Sequence, residues 1–445
     1  MTTSTGTKSI NVFARWRPLL PEEGTSGRIE YSTLSDSRGL SSLSVNPQTS
    51  ARDRPWTSST AFHNIFGPED NNSQVYQAVL VPHISKVLDG ESCSFFAYGH
   101  SGSGKTHTIL GYDFQDSQEL GLCLAAAKEL FTALGSLHAG QELGIGFRLF
   151  ELRQKSAFDL LNNRSECHVR QGPDGKVHIR GETERLEGGK VRVRPIVQQP
   201  CWTFESFKRE LTQALEHRTT GSSSVHSQSS RTHAVLELEV VSQPLIDARC
   251  SWIDRQSELV PVGKRATDVS IEESMKSLIR ASDGGWIPNP NYQKNEERIQ
   301  AAEAEKALFE ARVIAAEEEV DAILESSSFP CLGAKMVFVD LAGAEYAEGS
   351  GTGLRTIKQT PQERQEGRQI NTDLLALKEV MRAWSKGSSR IPFRSSTLTM
   401  VLREHFMGTA QENSTIILTL SPAQEQYSAT LNSLRYASLV GAVSV

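Results

Sequence analysis

The string Gly99-His100-Ser101-Gly102-Ser103-Gly104-Lys105-Thr106 constrains this chain more than any other feature. It fits G-x-x-x-x-G-K-[ST] and follows a short apolar run, Ser94–Tyr98, of the buried-strand kind. Glycines let the backbone wrap closely enough for successive N–H groups to point at a phosphate. In that arrangement Lys105 reaches the β- and γ-phosphate oxygens and the Thr106 hydroxyl ligates Mg²⁺. A strand feeding such a loop and then a helix demands an α/β fold.

The surrounding pattern agrees. Apolar runs at Ile10–Ala14, Gly146–Leu152, Val177–Arg180, Ala234–Val241 and Met336–Val339 read as strands. Val75–Leu88, Leu122–Leu134 and Phe204–Arg218 carry helical spacing. Interleaved strands and helices predict an α/β P-loop NTPase with a central mixed β-sheet flanked by helices on both faces.

A phosphate loop also needs an acid for the metal and a sensor for the terminal phosphate. Met336–Asp340 is an apolar strand ending in Asp, the arrangement that holds Mg²⁺ through water. Gly343 follows three residues later, where a bare backbone N–H can meet the γ-phosphate. Ser229-Ser230-Arg231-Thr232-His233 sets hydroxyls and a guanidinium just ahead of another strand.

These motifs, in order, resemble a kinesin motor domain along nearly the whole chain outside one insertion. Arg15-x-Arg17-Pro18 is similar to the adenine-binding motif of that family, and Phe96 through Thr108, His107 included, to its P-loop. His226-x-x-Ser229-Ser230-Arg231-Thr232-His233 resembles switch I, and Asp340-Leu341-Ala342-Gly343-Ala344-Glu345 resembles switch II. Ile370-Asn371 with Leu374–Leu377, Ile391–Thr399, Ser421-Pro422 and Thr430–Ala437 resemble the later helices and closing strand. The resemblance implies that Ser229 and Ser230 lie near Mg²⁺ and the attacking water, with Ser230, Thr106 and Asp340 as the metal set. It implies that Arg231 and Glu345 pair to close the site, with Glu345 relaying a proton. The implied activity is ATP hydrolysis coupled to microtubules, in the cytoplasm on the cytoskeleton.

The chain departs from the family at several positions. His226 stands for Asn, Thr232 and Ala344 for Ser, Thr372-Asp373 for Lys-Ser, and Thr397 for Lys. The last two changes remove positive charge from the expected track side. They leave open an alternative, a nucleotide-gated binding module with little turnover. Leu375-Ala376-Leu377-Lys378-Glu379 and Phe158–Asn162 resemble the internal-motor class that depolymerises microtubule ends, although that class's Lys-Val-Asp triplet is missing here.

Charge is nevertheless concentrated. The chain carries a net −6, yet Ser350–Arg403 has ten Lys or Arg against four acids. Leu374, Leu377, Met381 and Trp384 recur at core spacing, while Lys378, Arg382 and Lys386 line another face. With Arg390 and Arg394 they form the expected docking surface for acidic tubulin. The acidic whole argues against nucleic acid as a partner. No run approaches the roughly 18 apolar residues of a membrane span, and the six cysteines show no metal or disulfide spacing.

Residues 1–9 read as a flexible tail, and 10–242 with 334–445 as the motor-like domain. Residues 243–333 read as an insertion leaving the tip of a hairpin. Within it, Asn295–Glu325 is free of Gly and Pro and predicts one long helix, capped by Asn295. Its narrow stripe, Ile299, Ala302, Lys306, Phe309, Val313, Ala316, Val320 and Ile323, suits one partner helix.

Overall fold

The computed structural model describes residues 10–23, 27–47, 54–112, 114–116, 118–137, 142–172, 175–219, 231–280, 285–343, 361–407 and 413–441. These divide into two compact units. The first holds residues up to Arg180, Ile196–Val240 and Pro330 onward, and the second holds Gly181–Pro195 and Val241–Phe329.

The first unit is built on one mixed sheet. Its strands run in the order Val177–Arg185 (through Arg180), Ser165–Gln171, Ser156–Asp159, Leu143–Arg153, His233–Ser242, Lys335–Asp340, Cys93–Tyr98, Asn413–Leu420, Ile10–Trp16 and Asn64–Phe66. The last five are parallel, and the strands outward from His233–Ser242 pair antiparallel where the register is given. The parallel strands are buried on both faces, as their unbroken apolar runs require. In register, Asp340 lies beside Ala97, Tyr98 beside Leu418, and Trp16 beside Leu420. The loops that leave Tyr98, Asp340, Leu420 and Trp16 therefore gather at one edge, beyond the carboxyl ends of the strands, where open α/β sheets bind ligands.

The segment expected as one helix, Val75–Leu88, is two helices, Asn72–Val79 and Val81–Leu88. Asn71 starts the first with a capping box, and Pro82 opens the second at a position where its missing N–H costs nothing. Helix Pro361–Ser385 buries Leu374, Leu377, Met381 and Trp384 against the core, as their spacing demands. Arg382, Lys386, Arg390 and Arg394 are exposed and Lys378 is half-buried.

The second unit is mainly a helical hairpin. Helix Glu296–Glu325 starts at Asn295, whose side chain accepts the Arg298 N–H. Apart from Leu324, its residues that escape full exposure are the eight of the stripe named above. The stripe packs along a second helix of this same chain, Gln243–Lys276. That helix was not expected from sequence. Its polar composition and Pro261 both argue against a 34-residue helix. Ser242 caps it and Pro244 sits in its first turn. The two helices run antiparallel, as the ion pairs Arg265–Glu305 (2.7 Å) and Arg298–Glu273 (2.9 Å) show. A short ribbon, Leu278–Arg280 with Trp286–Pro288, follows the first helix. Strand Val191–Pro195 packs on helix Gln243–Lys276, with Lys190 and Arg192 paired to Glu258 and Asp254.

In the first unit, Val240 and Gly333 exchange backbone bonds with each other's neighbourhood (Val240 N–H to Ala334 O, 3.0 Å; Gly333 N–H to Val240 O, 2.9 Å). Strands His233–Ser242 and Lys335–Asp340 are thus a closed antiparallel pair at the insertion's base.

Candidate functional site

The loop Gly99–Gly104 leaves the buried strand Cys93–Tyr98 and turns into helix Lys105–Ile109. Gly104, at φ +102°, is the residue before that helix, in a conformation that L side chains avoid. Gly99 is buried and Ser101 and Gly102 are exposed. Ser103 is buried, its hydroxyl bonded to Thr419 (2.7 Å). The His100 ring is buried, with Nδ1 against Ser101 O (2.7 Å), and burial beside Lys105 pushes its pKa down to about 4. Lys105 is buried with its ammonium on the His100 carbonyl (2.8 Å), and burial brings it down to about 8. An anion beside this lysine would favour its charged form.

Beneath the loop, Thr106 Oγ1 donates to Asp340 Oδ2 (2.7 Å). Strand pairing sets this contact, since Asp340 lies beside Ala97 at the strand end. Asp340 Oδ1 is buried with no hydrogen-bond partner. A hydroxyl and a carboxylate in contact, with one oxygen orphaned, form the hard-oxygen donor set that suits Mg²⁺ with its retained waters. The residues present fit the metal.

Arg218, in the last turn of helix Phe204–Thr219, lies buried between Asp340 (2.9 Å) and Glu151 (3.0 Å). Glu151 also accepts from Thr232 (2.8 Å) and Arg164 (3.3 Å). Burial opposes the Arg218 charge, and the two carboxylates more than offset it. Neither Arg218 nor Glu151 was picked out by sequence. The available signals were an acid in the mainly apolar run Ile145–Leu152, which also holds Arg148, and a base at the helix end just before the switch-I-like string.

Arg15, expected at the adenine, is engaged within the protein. Its guanidinium is buried on Asn72 Oδ1 (2.6 Å), Thr108 Oγ1 (2.9 Å) and Asp70 O (3.3 Å). It braces the helix that follows the phosphate loop. Arg17 donates to Gly102 O (2.7 Å) and pairs with Glu23, holding the loop from outside, while Pro18 is exposed. His107 lies 3.4 Å from Glu119.

Of the switch residues, Gly343 meets the phosphate loop directly. A Cβ on it would come within 2.6 Å of Ser101 N, so glycine is needed for this approach. Arg231 lies 4.0 Å from Glu366, which also binds Arg153 (2.5 Å). Ser229, Ser230, His226, Ala344 and Glu345 lie outside the described residues, and so does the expected Arg231–Glu345 pair. His233 Nδ1 accepts the Ala342 N–H (3.0 Å), which ties the strand after switch I to switch II.

Comparison with known proteins gives one consistent answer. The family model described as the kinesin motor domain matches residues 15–260 and 308–443. The chain is 25% identical over 433 residues to mouse kinesin-like protein KIF24, covering 97% of this chain and 24% of that protein. It is 26% identical over 436 residues to rice kinesin-like protein KIN-13A, covering 98% of this chain and 41% of the relative. This chain thus spans about a quarter of KIF24's length. The same fold is found in the motor domain of the Kar3-like kinesin from Ashbya gossypii, with TM-score 0.59, 19% identity and coverage of 97% and 99% of the two chains. A fast kinesin matches with TM-score 0.59, 19% identity, and coverage of 98% and 92%. This chain belongs to the kinesin motor domain family.

Proposed function

We propose that the chain is an ATPase whose cycle is coupled to microtubule binding. The observation that carries this reading is the Thr106–Asp340 contact under the phosphate loop, with its orphaned Asp340 Oδ1. Thr106, Asp340 and Ser230 would hold Mg²⁺. When bound, the metal supplies charge neutralisation on the phosphate oxygens. Backbone N–H groups of Gly99–Gly104 cradle the β-phosphate, and Lys105 moves from His100 O to the phosphates. Arg218 holds the Asp340 carboxylate in place. Gly343 offers its N–H to the terminal phosphate, Ser229 orients the attacking water, and Glu345, paired with Arg231, takes up its proton. Phosphoryl transfer needs chiefly positioning and charge stabilisation, and these groups supply both.

On the track side, Lys378, Arg382, Lys386, Arg390 and Arg394 provide the positive surface for tubulin. The related fast kinesin is described in terms of its ATPase mechanism and interactions with microtubules. The likeness to a KIN-13 protein supports the depolymerising class as the finer reading. The site of action is the cytoskeleton. Among the described residues no helix is long and apolar enough to cross a membrane.

The test is ATP turnover with and without microtubules across a salt series. Turnover that microtubules raise, and that salt then suppresses, is expected. Tight microtubule binding with turnover near zero would favour the nucleotide-gated binding module.

A further inference from the structure

Two buried polar groups face each other across the space between switch I and the helix after switch II. His233 gives Nδ1 to the Ala342 N–H (3.0 Å), so the neutral ring carries its proton on Nε2. That Nε2 is buried with no hydrogen-bond partner. At 4.0 Å stands Oδ2 of Asp373, on helix Pro361–Ser385. Asp373 is 4% exposed, and its carboxyl is held by Gln369 Nε2 (3.0 Å) and the Ser396 hydroxyl, both neutral. The charged groups that face the imidazole are Lys105 and Arg218, and both disfavour a proton on Nδ1. A donor without an acceptor and a carboxylate without a cation thus lie about 1 Å beyond hydrogen-bond length.

Asp373 stands where the resembling family motif often has Ser. Serine is too short to span the gap. A carboxylate reaches further and binds an N–H more strongly. Burying it is unfavourable, which points to a role other than packing.

We propose that Asp373 is a positioning residue, which accepts the Nε2–H of His233 when the site closes and so couples helix Pro361–Ser385 to the switch II backbone. The link runs from Asp373 through the imidazole to Ala342 N–H, one residue before Gly343. A helix shift of roughly 1–2 Å, the usual size at packed interfaces, closes it. Lys378 and Arg382 lie on the same helix within three turns of Asp373. The contact then joins the docking surface to the phosphate sensor without touching either ligand. This rests on the ATPase reading above.

The test compares the parent with Asp373→Ala and Asp373→Asn, each carrying ¹⁵N-histidine. The His233 Nε2–H signal is read with and without Mg²⁺ and the non-hydrolysable analogue AMP-PNP. In the parent, AMP-PNP is expected to move this proton downfield and slow its exchange. The Ala variant should lose both effects, and the Asn variant, whose amide oxygen still accepts, should keep part of them. Microtubule-stimulated kcat should fall about tenfold in Asp373→Ala with KM for ATP within about twofold. Asp373→Asn should recover most of it. Parent kcat should decline as pH falls through about 6, where burial has raised the Asp373 carboxyl, and the Asn variant should be flat there. An unchanged His233 signal in Asp373→Ala would overturn the inference, as would identical pH profiles of parent and Asn variant should Asp373→Ala fail to fold. A parent with no turnover would overturn the ATPase reading alone, because the AMP-PNP signal decides the Asp373 contact separately.

Discussion

The phosphate cradle and the helical hairpin hold their charges in opposite ways. In the cradle, Lys105, Asp340, Arg218 and Glu151 are all at most 5% exposed and each has a named partner at hydrogen-bond distance. In the hairpin, Arg265–Glu305 and Lys276–Glu272 join side chains that are roughly half exposed. Buried charges are costly to orphan, whereas exposed pairs contribute little and are screened by salt. The cradle's geometry is therefore over-determined, and the hairpin's rests on a thin apolar stripe with replaceable ion pairs, save at Glu273, which is buried on Tyr292, Arg298 and the Asn295 N–H.

The sharpest way to break this comparison is at the loop itself. Lys105→Ala or Thr106→Asn should lower kcat at least about a thousandfold, read by phosphate release. Full turnover in either would move the site elsewhere. Next is Arg218→Ala, which takes from Asp340 its cation and leaves Glu151 only Arg164 and Thr232. A loss of about 3–5 kcal/mol in urea unfolding is expected, and a loss under 1 kcal/mol would show that the cradle tolerates orphaned charge.

Asp373→Asn sharpens the same point with the opposite sign. Burial raises this carboxyl to about 6 from 3.8. The native state therefore holds its proton more tightly than the unfolded chain, and stability falls as pH rises from about 4 to about 6. At pH 7 the parent carries a penalty of about 2–3 kcal/mol, which Asn removes. Thermal melts should show the variant more stable at neutral pH and equal to the parent near pH 4.

Neutralising Lys378, Arg382 and Lys386 together should weaken microtubule affinity roughly tenfold and flatten its salt dependence. Co-sedimentation matching the parent at all salts would put the track on another surface. The smallest effect is expected in the hairpin. Arg265→Ala should cost under about 0.5 kcal/mol, and replacing residues 266–304 by a Gly/Ser turn should leave basal ATPase within about twofold. Loss of the fold on that truncation would contradict the contrast drawn above.

Local chemistry was readable in the sequence, and pairing at a distance was not. The phosphate loop, the apolar strand ending in Asp340 and the stripe on Glu296–Glu325 each depend on residues a few positions apart, so spacing alone reveals them. Arg218 reaches Asp340 across 122 positions and Glu151 across 67, joined only by the sheet's strand order. The contacts of Arg15 with Asn72 and Thr108 were likewise hidden, because they depend on how the first strand packs. Helix Gln243–Lys276 was hidden by Pro261 and by scattered apolar residues whose partner lies on another segment. Tertiary packing outweighed propensity there.

The closed base at Val240 and Gly333 also bears on how such a chain changes over evolution. Because the sheet already holds the two ends together, lengthening the segment between them adds only a slowly growing loop entropy, about 0.6 kcal/mol per doubling. The family match skips residues 261–307, the far part of this segment, and resumes on its returning helix. The hairpin's root thus acts as a graft port. Lineages can extend, trim or exchange what grows there by small steps, each nearly neutral for folding, while selection on the nucleotide chemistry continues undisturbed.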